Sequence, residues 1–202
     1  MRGLRPTRAF SRVTLDLATI KPAERFGRIY HERYPNPLGF GKTKSRFSDP
    51  RPGPDNKRFG LLYLGSTLKV CFVEAILRDR RNGSIGDYPI DEAELIRRRY
   101  AEIVVTSALR LVDLRGDGPI RMGIPSDVVG SSRQALARAW SVAFYEHPEV
   151  PDGIVYPSRL NEDTILAVYD RAIANLSVHR THNLMKAPGF ADILNSLRVA
   201  LV

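Results

Sequence analysis

Five polar side chains stand beside apolar segments of this 202-residue chain, where a folded core could hold them in fixed positions. They are Arg28 in Phe-Gly-Arg-Ile-Tyr, Arg46 in Lys-Ser-Arg-Phe-Ser, Tyr63 in Leu-Leu-Tyr-Leu, Glu74 in a mainly apolar stretch, and Ser158 after Tyr-Pro. Guanidinium groups pair with phosphate oxygens and stay ionised at any working pH, whereas a fixed carboxylate stabilises developing positive charge. The set therefore has the chemical types needed to bind and act on an anionic ligand.

Each of these residues also has an ordinary structural explanation, which spacing alone favours. The two arginines suit a solvated surface, and the tyrosine suits a core. Glu74 precedes Arg78 by four residues, the spacing of an ion pair on one helix face. A serine directly after a proline is typical of a turn. Single positions therefore leave structural and functional roles open.

The charge of the chain favours anionic partners. Thirty-one Lys and Arg against 22 Asp and Glu give a net charge of +9, which suits nucleic acid, a nucleotide or an acidic protein. No apolar run approaches the roughly 18 residues that a membrane span needs. The single cysteine, Cys71, excludes an intramolecular disulfide and is more typical of a small buried apolar residue than of a nucleophile. We therefore expect a cytoplasmic protein with no membrane-spanning segment.

Several common chemistries lack their sequence motifs. The chain has no GxxxxGK[ST] loop, no GxGxxG after a strand, no HExxH and no GxSxG. Its four histidines lack cysteine partners, so we expect no metal site. A basic nucleic-acid-binding module is the alternative from another class. Its weakness is that acids are interleaved with the cations and that no helix-turn-helix or RNP-type motif is present.

The elements that must position these side chains follow from hydrophobic periodicity and turn residues. The apolar run 61–64 between glycines predicts a buried strand, and Ser66 or Thr67 then caps a helix reaching about Arg81. We expect further helices over 91–100 and 131–147, strands over 101–106, 109–114, 154–156 and 165–169, and a helix or strand within 190–202. Strands interspersed with helices, without a regular βαβ rhythm, predict an α+β fold on a mixed or antiparallel sheet.

The chain is expected to form one domain over residues 21–202, preceded by an N-terminal extension over 1–20. The extension begins with a basic segment, 1–8, which we interpret as a flexible arm. Residues 46–60 are rich in proline and must form a loop. This loop is either a variable connection or a lid that carries the cations Arg51, Lys57 and Arg58.

Taken in order, the motifs resemble the RES domain family, named for its Arg, Glu and Ser. The matching segments are Arg28-Ile29-Tyr30, Arg46-Phe47-Ser48, Leu62-Tyr63-Leu64-Gly65 leading into a helix with Glu74, and Gly153-Ile154-Val155-Tyr156-Pro157-Ser158. The resemblance runs from about Arg25 to Asp170, most of the chain. One departure is Lys44, where members often carry glycine.

This resemblance implies a fold similar to that of ADP-ribosylating toxins, with a cleft that takes NAD as substrate and needs no metal. It also implies a bacterial toxin whose cleft an Xre-like antitoxin covers, so that nucleic acid is contacted only through the antitoxin. The family's activities are NAD degradation, with water or inorganic phosphate as acceptor, and ADP-ribosylation of a protein. An inert interaction protein that has lost the chemistry is less expected, because all the matching polar residues are present.

The resemblance also assigns roles to the five polar residues. Glu74, Arg46 and Ser158 are the expected catalytic residues, and Arg28, Tyr63 and Arg46 are the expected NAD-binding residues. Glu74 would stabilise positive charge on the ribose, and the arginines would bind the pyrophosphate. The ring of Tyr63 would face the nicotinamide, with its hydroxyl on a polar group at the rim, and Ser158 would contact the ligand or orient Glu74.

Overall fold

The computed structural model describes residues 4–202 and is built around an eight-stranded sheet. Its strands, in chain order, are β1 (Leu17–Ile20), β2 (Arg25–His31), β3 (Leu61–Gly65), β5 (Arg98–Val105), β6 (Leu109–Asp113), β7 (Gly153–Pro157), β8 (Thr164–Tyr169) and β9 (Leu176–Asn183). The spatial order is β1-β6-β7-β8-β3-β2-β5-β9, with β6 and β7 parallel and all other neighbours antiparallel. Two further strands, β4 (Tyr88–Ile90) and β10 (Val199–Leu201), form a small parallel sheet. The predicted α+β class with a mixed sheet is confirmed.

Short helices surround the sheet. They are α1 (Leu68–Phe72), which continues as a π-helical turn (Val73–Leu77), α2 (Glu92–Ile96), α3 (Gly118–Arg121), α4 (Asp127–Gly130), α5 (Ala135–Tyr145) and α6 (Phe190–Ser196). Single 3-10 turns occupy Arg8–Arg12, Asp55–Lys57, Asp170–Asn175 and Leu184–Lys186. Within residues 4–202, no helix is both long enough and apolar enough to cross a membrane.

Alternation along the central strands places buried side chains on both faces of the sheet. Leu62 and Leu64 of β3 belong to an apolar cluster on one face, whereas Leu61 packs with α5 on the other. A third cluster lies between α1 with its π-helical turn and α6, and Phe72 and Phe190 meet edge to face there. The helix that carries Glu74 is therefore held against the body by apolar packing on several sides.

The sheet is nearly interrupted between β2 and β3, which share the single register pair Gly27 and Gly65. A Cβ atom at Gly27 would lie 2.6 Å from the Tyr100 ring, and one at Gly65 would lie 2.6 Å from a Val70 methyl and 2.7 Å from the Cys71 sulfur. A side chain at either position would therefore force these neighbouring side chains to shift. Beyond this pair the two strands are unpaired with each other, and a cavity occupies the space beside them.

Most predicted elements are present, but three helices are shorter than expected, and the strands β1, β2, β4 and β9 were not predicted. The helix expected over 131–147 forms only over Ala135–Tyr145. The helix capped by Thr67 ends at Leu77, because Arg78 turns to a φ of 44° that a helix cannot continue. The prediction of a helix over 91–100 was wrong beyond Ile96, where α2 ends. Residues 98–105 form β5, whose alternate residues from Ala101 onward are buried between β2 and β9. The sequence analysis did not predict β9, which has mainly exposed polar residues.

The ends of the chain pack onto the sheet. Residues 1–3 of the predicted flexible arm lie outside the described residues, and residues 4–8 are mainly exposed. The Trp140 indole donates a hydrogen bond of 2.8 Å to the Leu4 carbonyl. Phe10 is buried and packs edge-on against the same Trp140 ring. Residues 17–20 of the expected extension pair as β1 with β6, so the extension supplies an edge strand of the sheet. The tail contains both of the expected elements, α6 and β10.

Candidate active site

One cavity of about 490 Å³ beside β2 and β3 brings together four of the five predicted residues. Arg28, Arg46, Tyr63 and Glu74 all line it, although they come from two strands, a loop and a helix. Its volume lies within the roughly 300–1,000 Å³ typical of small-molecule sites. The cavity is therefore large enough to hold a ligand in contact with both the carboxylate and the two guanidinium groups.

Glu74 is placed by an unusual helix. Thr67 caps the helix by accepting a hydrogen bond of 3.0 Å from the Val70 amide, and the chain then widens to a π-helical turn at Val73–Leu77. The π turn closes with a hydrogen bond of 2.7 Å from the Arg78 amide to the Val73 carbonyl. Such single π-helical turns are frequent at functional sites.

The Glu74 carboxylate bonds to Ser158 and not to Arg78. The Ser158 hydroxyl donates a hydrogen bond of 2.6 Å to Glu74 Oε1, whereas the Arg78 guanidinium donates to the backbone carbonyl of Glu74. Among the described residues, Glu74 forms no ion pair, so the structural alternative of a Glu74–Arg78 salt bridge is wrong. The second carboxylate oxygen, Oε2, is free of protein hydrogen bonds within residues 4–202 and can meet a ligand.

Ser158 lies behind the carboxylate and not on the cavity wall. Its side chain is buried at the start of the loop between β7 and β8, and its hydroxyl also accepts a hydrogen bond of 3.1 Å from the Leu160 amide. Of the two roles expected for Ser158, this geometry favours orienting Glu74 over contacting a ligand.

The two predicted arginines, Arg28 and Arg46, are held in the cavity wall by backbone carbonyls. Arg28 Nη1 donates to the carbonyls of Pro37 and Gly39 at 2.5 and 2.7 Å. Arg46 Nη1 donates to the carbonyls of Val129 and Ser131, both at 2.9 Å. These bonds fix each guanidinium through one nitrogen and leave its remaining N–H groups available.

Neither arginine is neutralised by a carboxylate. Within residues 4–202, no Asp or Glu side chain forms an ion pair with Arg28 or Arg46. Burial lowers the pKa of the Arg28 guanidinium, because desolvation disfavours the charged form. Two part-buried cations without a protein anion differ from ordinary surface charges, and their free N–H groups can bind a ligand's negative charge.

Tyr63 connects the sheet to the segment that carries Arg46. Its hydroxyl hydrogen-bonds with the Ser45 hydroxyl at 2.9 Å and accepts a hydrogen bond of 3.0 Å from the Phe47 amide. Burial raises the pKa of the phenol, which therefore stays protonated at neutral pH. The hydroxyl fixes the loop, and the ring remains as part of the cavity wall.

The wall includes further residues that were not among the predicted site residues, and three of them are Tyr156, Gln134 and Arg159. Tyr156 is buried, packs edge-on against Phe47, and lies two residues before Ser158 on the same side of the strand. Its place in the Gly-Ile-x-Tyr-Pro-Ser segment could have identified it as a site residue from the sequence. Gln134 and Arg159 come from other segments and carried no motif of their own.

Two positions singled out in the sequence also reach this wall. Lys44 is exposed and adds a further cation to it. Cys71 is buried, and burial raises the pKa of its thiol to about 12, so the expectation of a small apolar residue is confirmed over that of a nucleophile.

The proline-rich loop is attached to the body. Arg51 forms ion pairs with Asp49 and Glu146, and Arg58 forms one with Asp55. Of residues 46–60, only Arg46 lines the cavity. The Arg51–Glu146 ion pair joins the loop to the residue after α5, whereas the ion pairs with Asp49 and Asp55 lie within the loop. Among the described residues, no group of three or more His, Cys, Asp or Glu could hold a metal ion.

Comparisons with known proteins place these features in context. A family model described as RES domain matches residues 24–187. The "Probable toxin y4kH" of Sinorhizobium fredii (strain NBRC 101917 / NGR234) is 41% identical over 127 residues, which are 62% of this chain and 100% of that protein.

A solved structure has the same fold. It is the crystal structure of the M. tuberculosis MbcT-MbcA toxin-antitoxin complex, with a TM-score of 0.59 and 17% sequence identity over 89% of this chain and 91% of the matched chain. At this identity the likeness extends to the arrangement of strands and helices alone.

Proposed function

The chain belongs to the RES domain family, and from that membership we propose that it is the toxin of a toxin–antitoxin pair and cleaves the nicotinamide–ribose bond of NAD. A relative named as a toxin and a structural neighbour solved with its antitoxin support the first half of this proposal. The second half is supported by the cavity.

One observation carries the enzymatic proposal. A carboxylate with one free oxygen and two guanidinium groups without carboxylate partners line the same cavity. NAD has the complementary features, because its pyrophosphate is anionic and its nicotinamide ribose becomes cationic as the glycosidic bond breaks. Arg28 and Arg46 would bind the pyrophosphate through the N–H groups that the backbone carbonyls leave available.

In the cleavage step, Glu74 acts on the nicotinamide ribose. As the bond between the ribose C1″ and the nicotinamide nitrogen breaks, both electrons leave with the nicotinamide, which departs neutral. The resulting oxocarbenium-like ribose is stabilised by the nearby carboxylate, whose free Oε2 also accepts a hydrogen bond from a ribose hydroxyl. An oxygen of water or inorganic phosphate then bonds to C1″, and a proton from the acceptor is released to solvent.

Ser158 and Tyr63 serve this step indirectly. The Ser158 hydrogen bond fixes the Glu74 carboxylate before the ligand arrives, so that no reorganisation is needed as charge develops. Tyr63 holds the segment of Arg46 and offers its ring to the nicotinamide.

The partner in this proposal is an Xre-like antitoxin that covers the cavity. Lys44, Arg28 and Arg46 give the cavity wall uncompensated positive charge, which an acidic surface of the antitoxin would complement. Nucleic acid would then be contacted through the antitoxin.

Product analysis tests the proposal. The purified protein is incubated with NAD, with and without inorganic phosphate, and the products are separated and identified. We expect free nicotinamide together with ADP-ribose or ADP-ribose-1″-phosphate, and the two identify water or phosphate as acceptor. Detection of ADP-ribose attached to a protein would instead indicate that the activity is protein ADP-ribosylation and not NAD degradation. Unchanged NAD together with tight, salt-sensitive DNA binding would favour the nucleic-acid-binding alternative.

A further inference from the structure

The loop between β7 and β8, residues 158–163, carries Ser158 and is tightly closed on itself. The Ser158 amide donates a hydrogen bond of 2.7 Å to the Asp163 carbonyl, and the Glu162 amide donates one of 3.0 Å back to the Ser158 carbonyl. Glu162 adopts a φ of 64°, a left-handed conformation that is costly for a residue with a Cβ. Such strain persists only where surrounding contacts hold the backbone.

Those contacts come from the helix that carries Glu74, at both of its ends. At the beginning, the Thr67 hydroxyl donates a hydrogen bond of 3.1 Å to Asp163 Oδ2, while the same oxygen of Thr67 caps the helix. Beyond the end, Arg159 forms an ion pair of 2.5 Å with Asp79. The Ser158–Glu74 hydrogen bond lies between these two attachments along the helix.

The loop and the helix are therefore joined at three points: Thr67 to Asp163, Glu74 to Ser158, and Asp79 to Arg159. The outer two contacts are partly exposed, and each alone contributes little stability. Together they fix the position of the loop relative to the helix. They thereby set the distance between the Ser158 hydroxyl and the Glu74 carboxylate.

We propose that Asp163 and Arg159 are positioning residues, which clamp the 158–163 loop to the helix and thereby hold Ser158 against Glu74. As a statement about activity, this inference rests on the proposed function. As a statement about the loop, it stands on the contacts alone.

Steady-state kinetics test the clamp. The Asp163→Ala variant is expected to lower kcat for NAD cleavage by about tenfold with KM unchanged, because a misplaced carboxylate weakens the transition state more than substrate binding. Asp163→Asn keeps an acceptor oxygen for Thr67 and is expected to retain most of the activity. A KM effect without a kcat effect, or no effect, would overturn the positioning role.

A double-mutant cycle shows whether Asp163 acts through Ser158. In the Ser158→Ala background, Asp163→Ala is expected to have almost no additional effect on kcat. A full, additive loss in that background would mean that Asp163 acts elsewhere, and would overturn the inference.

The ion pair has its own test and a matched control. Arg159→Ala is expected to lower kcat, and the charge swap Asp79→Arg with Arg159→Asp is expected to restore it. Arg121→Ala removes another partly exposed ion pair, with Asp16, whose residues do not line the cavity, and is expected to leave kcat unchanged. A raised KM that the swap does not correct would make Arg159 a ligand contact and not a positioning residue.

Amide hydrogen exchange separates this inference from the proposed function, because it needs no activity. In Asp163→Ala, the Ser158 and Leu160 amides are expected to exchange about tenfold faster than in the parent, with α5 amides unchanged as the internal reference. Asp192→Asn, an exposed aspartate on α6, is the matched control. Unchanged exchange at both loop amides would overturn the clamp even if NAD is cleaved, and faster exchange would support it even if NAD is not.

Discussion

Arg28 and Arg46 are held in the cavity wall in the same way, although their sequence neighbourhoods differ. Each gives one nitrogen to a pair of backbone carbonyls, and neither pairs with a carboxylate among residues 4–202. This arrangement depends on the planar guanidinium, since a lysine ammonium is a compact point charge that cannot hold two carbonyls and also fork onto a phosphate.

An Arg28→Lys variant therefore tests directly whether ligand binding needs the planar guanidinium. We expect KM for NAD to rise by about tenfold or more, with a smaller change in kcat, in initial rates measured over a range of NAD concentrations. Arg25→Lys, on an exposed position of the same strand, is the matched control. An unchanged KM in Arg28→Lys would remove Arg28 from ligand binding.

Cys71 allows a second prediction at a single residue. Its thiol is buried, and burial raises its pKa to about 12, so the reactive thiolate form is disfavoured at neutral pH. Iodoacetamide labelling followed by mass spectrometry is expected to be slow for the folded protein and fast in denaturant. Rapid labelling of the folded protein, with loss of activity, would instead make Cys71 a reactive group of the cavity.

Among the elements, the close approach of β2 and β3 at Gly27 and Gly65 determines where the cavity lies. A Cβ at Gly65 would meet the Val70 methyl at 2.6 Å and the Cys71 sulfur at 2.7 Å, and both residues belong to α1. The strand and the helix that carries Glu74 can pack this closely only because the side chain is absent.

Gly65→Ala is therefore expected to displace α1 and to lower the free energy of unfolding by about 1–3 kcal/mol. Urea denaturation measures this change. Gly130→Ala is the control for stability, since a Cβ there would meet nothing within 4 Å. Equal stability of the two variants would contradict the tight packing of α1 on β3.

The sequence predicted elements well where burial gives a strong periodic signal. The apolar strands β3, β7 and β8 were placed within a residue or two, and Thr67 was one of two residues expected to cap the following helix. The predictions that failed did so for physical reasons. β9 exposes polar residues at the sheet edge, and β5 begins with three residues that resemble the basic end of a helix.

At the scale of the whole molecule, the site depends on contacts between residues far apart in the chain. Ser158 and Glu74 are 84 residues apart, and Arg46 and Val129 are 83 apart. Spacing alone could not bring these residues together, and the ordered set of family motifs supplied the expectation. Those motifs did not contain the carbonyls that hold the arginines or the attachments of the 158–163 loop, because these depend on loop conformation.

The proposed toxicity is also a property of the whole molecule. Expression of the intact chain without an antitoxin is expected to deplete cellular NAD before growth stops, as measured by NAD content and culture density over time. Expression of Arg46→Ala is expected to leave both near the values of an empty-vector culture. Growth arrest at unchanged NAD content would indicate a protein target instead.

The most direct test of the central claim is the initial rate of nicotinamide release from NAD by purified Glu74→Ala, compared with the parent protein. We expect the rate to fall by at least about 100-fold while the thermal midpoint stays within a few degrees, because the variant removes charge stabilisation at the ribose and no core packing. Glu92→Ala, an exposed position on α2, is the matched control and should keep the parental rate. A parental rate in Glu74→Ala would contradict the assignment of the carboxylate to the sugar.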